Sequence, residues 1–310
     1  MTQTNISSPM SRQAWALLLL LSAIWGASFL FIEIALQAMG PLTLVFFRVL
    51  IASFTLGIYI FVTRLPIPMR LDFWGAALVM GVLNNAIPFS FIAYGQLSIT
   101  GGMASIINAN TAFFGVIVAA IFLKTERLSL RRLIGVLIGV FGVVIVVGPA
   151  ELIRFDVAQL GQLAVVVATL SYAFASVWGR LRLQGYSGTS TAFATSVCAS
   201  VTLAIVMLFA EGVPSFAITP ALIIVALGLG VIGTAGAYVI YFKILSLAGA
   251  SNLMLVTIIV PVFAVSLDAV ILGQWVSASE VVGFLVIACG LAIMDGRLLT
   301  YLSEKVIRRP

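Results

Sequence analysis

The stretch Ile134–Gly142, with the sequence IGVLIGVFG, has a second copy at Val282–Gly290, with the sequence VGFLVIACG. The copies align without a gap at a shift of 148 residues, which pairs Gly135 with Gly283 and Gly142 with Gly290. Further upstream, a shift of 147 residues pairs Trp25 with Tyr172. The same shift also pairs Tyr94 with Tyr241. Two related halves in one apolar chain are typical of transporters whose site lies where the halves meet.

The composition is that of a membrane protein. Of the 310 residues, 62% are hydrophobic and 8% are charged, whereas soluble domains carry about 25% charged residues. The net charge of +6 comes mainly from basic residues in short loops, where they set membrane topology, so it does not indicate nucleic-acid binding. Cys198 and Cys289 lie inside apolar runs and the chain has no histidine, so we expect no disulfide, no bound metal and no cofactor.

Apolar runs of about 20 residues, the length that crosses a bilayer, predict an all-α membrane protein with ten helices. The predicted limits are 14–38, 42–62, 73–96, 102–123, 132–148, 160–180, 190–210, 220–246, 252–272 and 281–299. The corresponding division is a cytoplasmic N-terminal segment 1–13, a first five-helix repeat 14–148, a linker 149–159, a second five-helix repeat 160–299 and a cytoplasmic basic tail 300–310.

The basic residues predict the orientation of the chain. With the N-terminus in the cytoplasm, every lysine and arginine falls in a cytoplasmic segment except Arg48, inside a span, and Arg154, in an outer loop. Such a bias supports ten spans with both termini cytoplasmic. Because each half then holds an odd number of spans, the second copy enters the membrane inverted relative to the first.

Several motifs resemble those of the EamA-type drug/metabolite transporters. They are SAIWGASF at Ser22–Phe29, FFR at Phe46–Arg48, FLKTERLS at Phe122–Ser129, IVPVF at Ile259–Phe263 and LGQ at Leu272–Gln274. The resemblance implies a 5+5 inverted repeat of ten transmembrane helices around a central cavity that opens alternately to each side. It also implies export of small metabolites across a bacterial inner membrane. Within the family, the chain is most similar to the branch of YddG-type aromatic amino acid exporters.

Two positions depart from the family pattern. Gln274 stands where the family commonly has glutamate, and the second repeat has no arginine near Thr195, the counterpart of Arg48. The motifs therefore indicate the fold better than the substrate.

The first span presents Trp25, Phe29 and Glu33 on one helical face. An intramembrane carboxylate marks a functional site, so Glu33 is a candidate proton carrier or a ligand for a substrate amine. The alternative is a structural ion pair with Arg48, because both residues lie in the outer halves of neighbouring spans. We favour the ion pair.

Amides in the third and fourth spans are candidates for the lining of a cavity. Asn84 and Asn85 precede Pro88, which frees a backbone carbonyl one turn earlier, near Asn84, and forms a candidate hinge. Asn108 and Thr111 share a face of the fourth span. Such side chains either line a cavity or hydrogen-bond neighbouring helices, and both interpretations stay open.

Two polar aromatic stripes lie in the second half. Thr234, Tyr238 and Tyr241 form one in the eighth span, and Tyr172 and Ser176 form another in the sixth. Interfacial aromatic belts lie at helix ends, whereas Tyr172 and Tyr238 fall mid-span, so we favour a cavity lining. Aromatic walls with a few polar groups suit an amphiphilic solute of amino acid size.

The ninth span holds Asp268, which is either a proton site or the cap of a neighbouring helix. It also holds Pro261, which predicts a kink at which the helix bends during gating.

Gly135 and Gly139 form a Gly-xxx-Gly pair that lets another helix approach closely, within the chain or from a second subunit. We expect a monomer, with a dimer as the alternative.

These observations predict a secondary transporter that exports small metabolites, amino acids including aromatic and hydrophobic ones, by alternating access. The expected partners are a small-molecule substrate and the lipid bilayer. No Walker motif is present, so the energy comes from a proton gradient through Glu33 or Asp268, or from the substrate's own gradient, which we favour.

Three alternatives remain. The first is an exporter of another metabolite or drug with the same fold. The second is an intramembrane enzyme, which needs a nucleophile and base or a metal cluster that the sequence does not provide. The third is a receptor or scaffold, which solute flux would distinguish from a transporter.

Overall fold

The computed structural model describes residues 10–123, 129–148 and 157–295. Within these residues the regular structure is entirely helical. The predicted terminal segments therefore fall largely outside the described part of the chain, as do Lys124 to Leu128 of the FLKTERLS motif and most of the predicted linker.

Ten helices follow one another along the described residues, as predicted. They are α1 (Arg12–Leu36), α2 (Pro41–Thr63), α3 (Leu71–Gly95), α4 (Gly101–Phe122), α5 (Leu130–Val147), α6 (Val157–Arg182), α7 (Gly188–Ala210), α8 (Pro220–Ala250), α9 (Val256–Leu272) and α10 (Ala278–Asp295). In the described chain, nine of these are long and apolar enough to cross a membrane, and α9 is a shorter apolar helix.

Local sequence signals explain where the helices begin and end. The hydroxyl groups of Ser11, Thr100 and Thr219 accept hydrogen bonds from backbone N–H groups in the first turns of α1, α4 and α8. Such caps satisfy donors that have no partner within the helix. At the other end of α9, Gly273 adopts a φ of 68°, which favours glycine and stops the helix.

Three of the described helices contain π-helical turns that change the helical register. These turns span Val82–Ala86 in α3, Gly228–Gly236 in α8 and Asp268–Leu272 in α9. The first two occupy equivalent places in the repeats, because a shift of 147 residues carries the turn of α3 into that of α8. The helix α4 is interrupted instead by a turn at Ala109 and Asn110.

Helices of one half pack mainly on helices of the other half. The helix α1 packs against α8 and α9, and its counterpart α6 packs against α3 and α4. Likewise α2 packs against α7 and α8, while α7 packs against α2 and α3. Each contact thus recurs with the halves exchanged, which is the pattern that a pseudo-two-fold axis generates.

The helices α5 and α10 meet through glycines. A Cβ atom built on Gly135 would lie 2.7 Å from the carbonyl oxygen of Gly290, and one on Gly142 would lie 2.9 Å from that of Gly283. As the residue number rises along α5 it falls along α10, so the two helices are antiparallel. Because Gly139 also touches Gly290, the Gly-xxx-Gly pair finds its close partner inside the chain.

The outer surface of the bundle is apolar. Phe61 is 84% exposed and Phe209 is 90% exposed, in company with many exposed aliphatic side chains. A soluble protein rarely presents so much apolar surface to water. This surface therefore faces lipid, and the chain is a multi-pass membrane protein.

Candidate functional site

Polar side chains from both repeats meet near the middle of the bundle, at the two equivalent π-helical turns. This group, called here the interface cluster, consists of Arg48, Asn84, Asn85, Thr234 and Tyr238. Its first three members come from α2 and α3, and the other two come from α8. Turns of π-helix occur frequently at functional sites.

Tyr238 connects the two halves through hydrogen bonds. Its hydroxyl group donates to Oδ1 of Asn85 at 2.8 Å, and Nδ2 of Asn84 donates to the Tyr238 hydroxyl at 3.0 Å and to the same Asn85 oxygen at 3.1 Å. Asn85 is 0% exposed, and its own amide nitrogen has no hydrogen-bond partner among the described residues. The cluster thus contains a buried donor that protein groups leave unused.

Arg48 lies beside this network in a neutral environment. Its Nε donates to Oγ1 of Thr234 at 2.9 Å, and its guanidinium lies 3.9 Å from the centre of the Phe89 ring. The Thr234 hydroxyl in turn donates to the Leu229 carbonyl at 2.8 Å. Arg48 therefore makes a cation–π contact and one hydrogen bond to a neutral group.

The favoured ion pair between Glu33 and Arg48 is wrong. The Glu33 carboxylate instead accepts hydrogen bonds from Nε2 of Gln274 at 2.6 Å and from the backbone N–H of Gly101 at 3.2 Å. Glu33 thus faces α4 and the segment after α9, whereas Arg48 faces α8 and α3.

Asp268 joins Glu33 at the first turn of α4. Its Oδ2 accepts a hydrogen bond from the backbone N–H of Gly102, while Oδ1 is buried without a partner in the part of the chain that the structure describes. The first N–H groups of a helix lack intrahelical acceptors and carry partial positive charge, so carboxylates are stabilised there. Of the two interpretations of Asp268, the observed hydrogen bond to Gly102 supports the one in which the carboxylate caps α4.

Aromatic residues of the predicted stripes partly come together. The rings of Trp25 and Tyr241 lie 6.1 Å apart, Tyr238 belongs to the interface cluster, and Tyr172 packs against the hydrophobic core. All four rings are half-buried. Ser176 does not join them, because it is exposed and its hydroxyl donates to a carbonyl of its own helix.

The remaining candidates lie in the core or at the break of α4. Phe29 is buried in the core, and its carbonyl accepts a hydrogen bond from Gln96. The Thr111 hydroxyl donates to the Asn108 backbone carbonyl across the break, at 2.8 Å, and the buried Oδ1 of Asn108 has no partner within the described chain. Pro261 lies within the α-helical part of α9.

Pro88 leaves one backbone carbonyl without its helical N–H partner, as predicted. Because of the π-helical turn, this carbonyl is that of Leu83 and not that of Asn84. The carbonyl of Leu83 accepts a hydrogen bond from the Ser171 hydroxyl of α6 at 2.7 Å. In a π-helix this carbonyl would pair with the N–H five residues on, which proline lacks. Proline thus gives α3 an acceptor for the other repeat.

Two structurally important residues were not singled out in the sequence. Phe89, which covers Arg48, follows Pro88 in an aromatic run that gives no separate signal. The Glu211 carboxylate accepts hydrogen bonds from the backbone N–H groups of Leu42 and Thr43 and from the Thr43 hydroxyl, at 2.7–2.8 Å. An acidic residue directly after the apolar run of α7 is the signal that would have found it.

The family model of EamA-like transporters matches residues 13–148 and, a second time, residues 159–294. The chain belongs to the EamA-like transporter family. As a member of that family it is a membrane transporter and not an enzyme.

Individual relatives of this transporter agree with that class. The chain is 27% identical to a probable amino-acid metabolite efflux pump of Salmonella typhimurium, over 92% of this chain and 95% of the relative. It is 24% identical to the uncharacterized transporter YoaV of Bacillus subtilis, over 86% of this chain and 91% of the relative. A solved crystal structure with 18% identity has the same fold, with a TM-score of 0.67 over 93% of this chain and 99% of that chain.

Proposed function

We propose that this transporter exports small metabolites, amino acids with aromatic or hydrophobic side chains among them, by alternating access. The observation that carries the proposal is the interface cluster, which brings amide, hydroxyl and guanidinium groups from both repeats into the middle of an otherwise apolar bundle. A polar group buried in a membrane protein costs free energy unless it forms hydrogen bonds or binds a ligand.

The chemistry of the cluster suits an amphiphilic solute. Asn85 keeps a free amide donor, and Trp25 and Tyr241 supply aromatic surface. Apolar walls with a few placed polar groups are typical of small-molecule sites. The similarity to a probable amino-acid metabolite efflux pump also supports an amino acid substrate.

Alternating access is supported by the exchange of contacts between the halves. Because each half packs on the other through equivalent helices, rocking one half around the cluster produces a second arrangement related to the first by the pseudo-two-fold axis. Pro88 and Pro261 are the proposed hinges. The glycine contact of α5 with α10 is satisfied within the chain, so we propose a monomer as the transporting unit.

The proposed location is the inner membrane of a bacterial cell, with both termini in the cytoplasm. The support is the distribution of lysine and arginine, which lie almost wholly in segments on one side of the ten-helix chain. In this orientation Glu33 and Asp268 lie towards the outer face.

The proposed energy source is the gradient of the substrate itself, in downhill or exchange transport. The carboxylates of Glu33 and Asp268 already accept hydrogen bonds from backbone N–H groups in the first turn of α4, those of Gly101 and Gly102 respectively. Proton coupling through these two residues is the alternative, and it makes a different prediction for transport under a pH gradient.

The test is uptake of radiolabelled phenylalanine by liposomes that contain the purified protein, with and without an imposed pH gradient, against empty liposomes. Uptake above the empty control in both conditions supports an amino acid carrier driven by its substrate. A strong dependence on the pH gradient supports proton coupling. If phenylalanine does not enter, a wider panel of solutes separates a carrier of another metabolite from a receptor or scaffold, which transports nothing.

A further inference from the structure

The interior of the bundle holds a positive charge that no carboxylate of the described chain neutralises. Arg48 is the eighth residue of α2, about 10 Å along the helix from its first residue, and it is 6% exposed. No acidic side chain among the described residues lies within 4.0 Å of its guanidinium.

The partners that Arg48 does have leave most of its donors unused. Only Nε forms a hydrogen bond to described residues, with the Thr234 hydroxyl, and the face of the guanidinium rests on the Phe89 ring. The Thr234 hydroxyl is held in place by its own bond to the Leu229 carbonyl. Thr234 and Phe89 therefore hold the guanidinium in place, and neither accepts a hydrogen bond from its two terminal amino groups.

An unpaired buried charge is expensive, and neutral contacts offset only part of that cost. The planar guanidinium matches a carboxylate, which accepts two parallel hydrogen bonds from its terminal amino groups. The equivalent position in α7 is Thr195, so the charge is present in one repeat only.

Arg48 also borders a pocket whose walls are apolar. The pocket lies between α1, α2 and α8, is partly open to the surroundings and has a cavity volume of about 180 Å³. Its walls include Ala35, Phe47, Leu222 and Leu229. An apolar pocket beside a buried cation suits a solute with one anionic group and an apolar body.

We propose that Arg48 binds the carboxylate of the transported solute and is its counterion within the bundle. This inference rests on the proposed function, because it names the chemical group that the carrier holds. Thr234 and Phe89 are positioning residues, which hold the guanidinium with its terminal amino groups free.

The test is a comparison of 3-phenylpropionate with its uncharged amide, 3-phenylpropanamide, as ligands of the detergent-solubilised protein in a thermal unfolding assay. We expect the acid to raise the unfolding temperature of the wild type and the amide to have little effect. Arg48→Gln should weaken the apparent affinity for the acid at least tenfold, and Arg48→Lys should retain part of it because the charge is kept. The matched control is Arg70→Gln, since the Arg70 side chain is 73% exposed and pairs with Asp72 at the surface.

Three outcomes overturn the inference. They are stabilisation of the wild type by the amide as strongly as by the acid, equal stabilisation of wild type and Arg48→Gln by the acid, and no stabilisation of the wild type by the acid. If the glutamine variant does not fold, the comparison of acid with amide on the wild type decides, because equal stabilisation by the two overturns the inference.

A transport measurement separates this inference from the proposed function. If Arg48→Gln exchanges phenylalanine as fast as the wild type, the inference fails while the amino acid assignment stands. If the acid binds through Arg48 but phenylalanine is not transported, the inference stands and the amino acid assignment fails.

Discussion

The hydroxyl group of Tyr238 in α8 donates a hydrogen bond to Oδ1 of Asn85 in α3, 2.8 Å away, and so connects the second repeat to the first. Asn84 donates to both oxygens and closes the network. The link crosses the surface between halves that alternating access has to rearrange. Changes of single polar atoms here should therefore alter transport more than folding.

Tyr238→Phe removes the hydroxyl while it keeps the ring. A hydrogen bond of this kind contributes about 0.5–1.5 kcal/mol, so we expect phenylalanine exchange to slow by up to about tenfold. Tyr59→Phe is the matched control, because Tyr59 is exposed on the surface of α2. Equal exchange rates for the two variants would remove Tyr238 from the candidate site.

Asn108→Ala should abolish or retune transport without loss of folded protein. The Asn108 oxygen is buried beside the break of α4 and has no protein partner, so its removal breaks no hydrogen bond to that oxygen. Gln37→Ala serves as the control, since Gln37 is exposed at the end of α1. Unchanged rates and an unchanged solute preference would show that Asn108 is structural.

Glu33→Gln should lower stability and leave the response to a pH gradient unchanged. The variant keeps an amide oxygen for the Gly101 N–H but loses the negative charge at the start of α4, which contributes about 0.3–2 kcal/mol. Thermal unfolding measures the first effect and liposome uptake the second. Exchange of the two side chains, Glu33→Arg with Arg48→Glu, should give no rescue, because the residues do not contact each other.

Gly135→Ala should destabilise the contact between α5 and α10. The added Cβ would lie 2.7 Å from the Gly290 carbonyl oxygen and 3.0 Å from the Met294 backbone nitrogen. Overpacking against backbone typically costs about 1–3 kcal/mol. Gly115→Ala is the matched control, since nothing lies within 4 Å of its Cβ position. The two variants should differ clearly in unfolding temperature, and equal temperatures would contradict the close approach.

The helices and their inverted repeat were predictable because each signal is local. Apolar length sets the spans, and the repeated glycines of Ile134–Gly142 and Val282–Gly290 predict related halves. The contact of Gly135 with Gly290 has its counterpart in the contact of Gly142 with Gly283, because the two-fold relation exchanges the aligned positions. The break of α4 and the π-helical turns were not predictable from periodicity, which assumes one continuous α-helix.

The site was harder to predict because it depends on which helix faces which. Glu33 and Arg48 lie at similar depths in consecutive spans, yet Glu33 faces Gln274 and Arg48 faces Thr234. Depth follows from the sequence, whereas the rotation of each helix follows from packing across the halves. The π-helical turn also moved the freed carbonyl from Asn84 to Leu83, since it adds one residue to the hydrogen-bonded ring.

The most direct test of the central claim is exchange of radiolabelled phenylalanine by liposomes that contain the purified wild type and are preloaded with unlabelled phenylalanine, beside Tyr238→Ala and empty liposomes. We predict label uptake by the wild type well above the empty control, with a large reduction in the folded Tyr238→Ala variant. Equal uptake by wild-type and empty liposomes would contradict the amino acid assignment, and equal uptake by wild type and variant would contradict the location of the site.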